Sequence, residues 1–143
     1  MNFFIDAEFE EATHTLISLA IVSEDGEKEF YEVLDFSNVK DEWVIANVLP
    51  IVKQKPISLE LFQERLETFC SQFVGMNIIC NHPNDVYFFC LAIRQKMGKW
   101  IMVQPLTFDV DDDLSGKGSE LLHNALFDAR ATRLSWMAKN GFA

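Results

Sequence analysis

The pattern of apolar and polar positions first reads as an extended strand, with a period of two. In residues 2–8, Phe4, Asp6 and Glu8 fall on one side of a strand, and Phe3, Ile5 and Ala7 on the other. A strand that is apolar on both sides at its start is predicted to be central, covered above and below, yet this one ends on two neighbouring carboxylates. Residues 15–22 form a second buried strand. Asp25-Gly26 is a strong hairpin signal, and residues 29–34 return as a third strand, so the chain opens as a three-stranded antiparallel meander.

The period then lengthens. Residues 41–48 are helical in pattern, with Trp43, Val44, Asn47 and Val48 near one face and Pro50 as a stop. Ser58 caps a longer helix whose apolar stripe is Leu59, Leu61, Phe62, Leu66, Phe69 and Phe73, with Gly75 as its end. Residues 76–80 are a short strand. Pro83 opens a helix reaching about residue 97. Residues 100–108 contain the last strand, where Pro105 suits a sheet edge. A polar loop over 109–119 leads to a final helix over 120–140, closed by Gly141. The order β-β-β-α-α-β-α-β-α predicts an α/β fold. Its mixed five-stranded sheet is the meander plus two parallel strands, with helices on both faces, in a single domain over residues 1–143.

Composition narrows the setting. Half of the 143 residues are apolar and thirteen are Phe, which argues against disorder and for one substantial core. No apolar run approaches membrane-spanning length and the start carries no signal-type segment, so a cytoplasmic protein without a membrane partner is expected. Cys70, Cys80 and Cys90 lack CxxC spacing and lie in apolar segments, which predicts buried, reduced thiols. The net charge of −10 opposes a nucleic-acid partner unless several carboxylates hold metal, and two divalent ions would bring it to −6.

Three segments carry candidate chemistry. Asp6 and Glu8, two residues apart on one strand face, repel each other and ask for a cation. Asp85 lies in the first turn of a helix after a strand-to-helix corner, where an acid is also favoured by the helix dipole alone. His123 and Asp128 are five residues apart, about 140° around a helix. Both can serve one site only if His123 sits at or before the helix start. Ala125 and Ala129 are small enough to bring that helix close to the first strand. Asp109, Asp111, Asp113 and Glu120 match four positions of a calcium loop, but Leu114 stands where that loop needs Gly, so a solvated acidic loop is the reading.

Together, Asp6-x-Glu8, Asp85 at the mid-chain corner and His123-x4-Asp128 resemble the DEDDh 3′–5′ exonucleases, the DnaQ-like group of the ribonuclease H-like fold. The resemblance covers nearly the whole chain, and Asn124 stands where the tyrosine branch of that group would have Tyr. Glu29-Phe30-Tyr31, Trp43-Val44 and Asn47-Val48-Leu49-Pro50 narrow it to the short mycobacterial-type exoribonucleases, from which Ala7 and Phe127 depart. The resemblance implies a metal-dependent hydrolase that releases nucleoside 5′-monophosphates from nucleic-acid 3′ ends, RNA ahead of DNA. It implies two Mg²⁺ ions, replaceable by Mn²⁺, on Asp6, Glu8, Asp85 and Asp128, with His123 as general base on a loop that closes over substrate. Ala7, Phe9 and Arg130 are the candidate substrate contacts, with Phe9 equally readable as core; Arg130 and the lysines Lys96, Lys99 and Lys117 could meet phosphates, with solvated surface charge the favoured reading for each one. Relatives dimerise, so a homodimer is compatible with it. A 3′–5′ DNA exonuclease and a non-catalytic nucleic-acid-binding module are the alternatives.

Overall fold

The computed structural model describes residues 1–96 and 98–142, with the side chains of 95 and 96 outside that description. Strands β1 (Asn2–Glu10), β2 (Thr15–Ser23) and β3 (Glu29–Val33) form the expected meander. Strands β4 (Met76–Cys80) and, at the far edge, β7 (Leu106–Val110) extend it in parallel with β1. The sheet order is β3-β2-β1-β4-β7. β1 is thus central, and Phe3, Phe4 and Ile5 are all buried, as its two apolar faces predict.

On the Phe3, Ile5 and Ala7 side lie the helices α2 (Leu59–Cys70) and α3 (Pro83–Ile93), burying the main aromatic core. On the opposite side, α4 (Ala125–Lys139) sets Ala125 and Ala129 against Ala20 and Val22 of β2. Two alanines facing another alanine leave little side-chain volume between helix and sheet, so α4 lies close to the strands that carry the acids. A short helix, α1 (Glu42–Asn47), and a 3-10 turn (Leu49–Ile51) close the remaining end of that face over Ile17 and Val33. A bulge where Glu8 pairs Ser18 but Phe9 pairs Leu16 leaves Ile17 as the extra residue, which sends Leu16 and Ile17 to different core clusters. Among the described residues no helix is long and apolar enough to cross a membrane.

Several boundaries differ from the pattern reading. Helix α3 stops at Ile93, short of residue 97, because the buried Gln63 amide of α2 donates to the carbonyls of Ala92 (3.3 Å) and Arg94 (2.8 Å) and satisfies the helix end. Met97 itself lies outside the described residues. The expected strand over 100–108 is two elements. Strand β5 (Arg94–Lys96) pairs with β6 (Lys99–Trp100) in a separate hairpin, and Pro105 precedes β7 instead of interrupting it. Gly75 does not close α2. It has φ +77° at the entrance to β4, where a Cβ would come within 2.7 Å of the Pro105 ring. The final helix begins at Ala125, five residues later than expected, because Asn124 caps it. Cys90 is exposed, not buried, whereas Cys70 and Cys80 are buried.

Candidate functional site

The β1–β4 ladder ends at the Phe4–Ile79 pair, so β1 runs on past its parallel neighbour with N–H groups unpaired on that side. Asp85, in the first turn of α3, takes up one of them: the Ala7 N–H donates to Asp85 Oδ1 at 3.0 Å, a buried bond across 78 residues of sequence. The cap of α3 is His82, whose Nδ1 accepts from the Asn84 N–H, so Asp85 is free of capping work and points at β1. From the α4 side, Asp128 reaches the same place. Its Oδ2 accepts the backbone N–H of His123 at 3.0 Å.

His123 precedes the cap residue, as a shared site requires, and has φ +73°. That left-handed turn lets the chain present both its N–H and its imidazole to the acids. Ligand atoms of Glu8, His123 and Asp128 lie within 4.8 Å of one another. The imidazole is therefore already seated beside the acids, not held away on the loop. All four acids of the sequence reading, with His123, thus converge from β1, α3 and the start of α4.

The electrostatics of the cluster are strained. Burial, then the charges of Asp85, Glu8 and Asp128, hold the Asp6 carboxyl well above the usual carboxylate range. Burial and the Asp128 charge push Glu8 up to about 8. Burial raises Asp85 to about 7, against the pull of the Ala7 N–H. Burial also raises Asp128, with the Ser119 hydroxyl and the His123 N–H acting the other way. Asp6 Oδ2 and Asp128 Oδ1 are buried without a hydrogen-bond partner among the described residues. Four carboxylates with raised proton affinity and two orphaned oxygens fit a divalent, oxygen-preferring cation such as Mg²⁺ or Mn²⁺.

The expected substrate contacts fare differently. Ala7 turns its methyl into the core of the α2–α3 side. Phe9 stacks on Phe88, with ring centroids 4.3 Å apart and planes at 18°, and is partly buried against the core. Arg130 spends its guanidinium on Glu29 through two 2.7 Å bonds, so it is not a free phosphate contact. Lys99 and Lys117 are exposed, and the Lys96 side chain lies outside the described residues. In the acidic loop, Asp109 belongs to β7, while Asp111 and Asp113 accept from Lys139 Nζ.

Three residues that the sequence named only for the resemblance also lie at the site, in roles it did not assign. Buried Asn124 caps α4 by accepting from the N–H groups of Leu126 and Phe127. Its amide also donates to the Ile51 carbonyl at 2.7 Å, pinning the His123–Asp128 segment to the 3-10 turn. Burial, then the Glu8 charge, raises the Tyr31 phenol to about 12, and the hydroxyl donates to the Val52 carbonyl at 2.6 Å. Trp43, half exposed on α1, sets its ring edge-on to His123 with centroids 5.0 Å apart. No protein-family model matches the chain, and no curated protein matches it.

Proposed function

We propose that the chain is a metal-dependent 3′–5′ exonuclease of the DEDDh, ribonuclease H-like type, acting on RNA ahead of DNA. The observation that carries this reading is the convergence of Asp6, Glu8, Asp85 and Asp128 from three elements, with His123 within 4.8 Å of two oxygen donors. The sheet of five strands in the order β3-β2-β1-β4-β7, with helices on both faces, is compatible with that fold type. The 3′-end polarity and the preference for RNA come from the resemblance alone.

Two divalent ions on the four carboxylates would supply positive charge at the scissile phosphate and lower the pKa of an attacking water. The chain's own residues do the rest. The His123 imidazole, fixed by its neighbours, takes a proton from that water. The Ala7 N–H holds Asp85 in its rotamer. Asn124 pins the His123–Asp128 segment to the 3-10 turn through the Ile51 carbonyl, which holds the base and its neighbouring acid in one geometry. A pure scaffold has no need to bury like charges together, which weighs against a non-catalytic binding module.

The test is a Mg²⁺ and Mn²⁺ titration on 5′-labelled single-stranded RNA and DNA, with Asp6→Asn alongside. Stepwise shortening from the 3′ end, lost without metal and in the variant, is expected. Shortening of DNA at the greater rate selects the DNA exonuclease. Intact substrates that nevertheless bind tightly would sink the catalytic reading.

A further inference from the structure

On the side of α3 turned away from Asp85, an open groove of about 890 Å³ lies between the helix, the β5–β6 hairpin and the segment leading to β7. Tyr87 and Leu91, one turn apart on α3, and Arg94 just past the helix end form one wall, and Lys99, Trp100 and Met102 form the other. Trp100 and Met102 are 65% and 63% exposed, and the indole N–H donates to the Met102 sulfur, which fixes the ring. Neither Arg94 nor Lys99 has an ion-pair partner among the described residues, in a chain whose net charge is −10.

One end of the groove adjoins the acid cluster's end of β1. The Tyr87 hydroxyl meets His14 Nδ1 at 3.2 Å in the β1–β2 turn, and its ring packs edge-on to Phe88, which stacks on Phe9, the residue after Glu8. From Tyr87 to its end at Ile93 the helix rises about 9 Å, the length of roughly three stacked nucleotides, and Arg94 follows in extended conformation. Aromatic faces with unpaired cations beside them match a single strand, with bases on rings and phosphates on cations. A second copy of this chain is the poorer occupant, because a two-fold contact through this patch would crowd Arg94 and Lys99 against their own counterparts.

We propose that this groove binds the single strand upstream of the 3′ end, with Tyr87 and Trp100 as stacking faces and Arg94 and Lys99 as phosphate contacts. The proposal rests on the exonuclease reading of the acid cluster. Its test is fluorescence anisotropy of a 5′-labelled 12-nucleotide single-stranded RNA in EDTA, beside hydrolysis of that RNA and of a dinucleotide in Mg²⁺. Relative to the unaltered protein, Trp100→Ala weakens 12-mer binding about 5- to 100-fold. The double change Arg94→Glu with Lys99→Glu lowers the salt slope of binding by about 1.4. Dinucleotide turnover is unchanged in both. Lys99→Glu alone, at an exposed site, keeps the test decisive should Trp100→Ala fail to fold.

Affinities within twofold of the unaltered protein in every variant overturn the groove while leaving the exonuclease standing. Sedimentation showing a dimer that Trp100→Ala splits, with RNA affinity kept, also overturns it and makes the groove a self-association face. Groove-dependent binding without hydrolysis of any substrate supports the groove and removes the catalytic reading instead.

Discussion

Glu8→Gln gives the sharpest test of the acid cluster, because it removes one charge and keeps the side chain's shape. The folded value for Glu8 of about 8, against an ordinary 4.5, corresponds to a ceiling of about 5 kcal/mol. Coulomb repulsion from Asp128 within 4.8 Å gives about 3.5 kcal/mol at an effective dielectric of about 20. Water entry and side-chain relaxation reduce both, so about 2–3 kcal/mol is expected. The folded value lies above the unfolded one. The stabilising contribution of protonated Glu8 is therefore complete below about pH 4.5, falls as pH rises, and is gone above about pH 8. Glutamine suffers no such loss. In EDTA, Glu8→Gln should melt with the unaltered protein at pH 4.5 and about 6–9 °C above it at pH 9. Saturating Mg²⁺ should reverse the order, since binding to the folded state favours the protein with its full set of ligands. Calorimetry at several pH values, with and without Mg²⁺, reads all of this. A variant less stable than the unaltered protein at pH 9 in EDTA, or a difference independent of pH, would refute the reasoning.

Asn124→Ala removes the cap of α4 and leaves the Ile51 carbonyl short of a donor, so a loss of about 2 kcal/mol is expected in urea unfolding. Asn124→Asp keeps the cap acceptor but not the donor, and should recover only part of that. Arg130→Ala breaks the bridge to Glu29 at a half-exposed site and should cost below about 1 kcal/mol, with KM for single-stranded RNA unchanged. A raised KM would restore Arg130 as a phosphate contact. Trp43→Ala frees the edge of His123 while removing a half-exposed ring, so kcat should fall by the order of tenfold with the melting temperature nearly kept.

The elements that a local pattern can carry were legible. Alternation on β1 told which residues face which layer, because a period of two leaves no third option. The geometric demand that His123 precede the helix start followed from the angle between it and Asp128, and the left-handed turn at His123 meets it. What stayed hidden depends on distant partners. Asn124 reads as an ordinary polar residue until Ile51, 73 residues earlier, supplies its carbonyl. The early end of α3 follows from Gln63, about 30 residues upstream on another helix. Phe9 and Arg130 looked available to substrate because nothing local announces the stacking on Phe88 or the bridge to Glu29 across 101 residues.

Glu10 supplies the internal comparison that separates a structural acid from a site acid. It lies two residues beyond Glu8 on the same strand and is as buried as Asp85, yet hydrogen bonds from Thr13, Asp41 and Lys40 hold its carboxyl below the usual range. Its oxygens accept from the Thr13 hydroxyl at 2.6 Å and from the N–H groups of Lys40 and Asp41 at 2.7 and 2.8 Å. The fold thus supplies donors to a buried carboxylate where it needs one for structure, and here that carboxylate anchors the approach to α1. Around Asp6 and Asp128 it leaves one buried oxygen each without a donor and turns further acids toward them. Unpaired buried oxygens beside like charges cost stability with no structural return. A single strand that treats its acids in both ways is what the proposed cation site at the cluster calls for. Glu10→Gln should then behave oppositely to Glu8→Gln, destabilising the protein at every pH above the ordinary carboxylate range and leaving its response to Mg²⁺ intact. If both substitutions stabilised the metal-free protein at pH 9, the distinction between the two acids would fall.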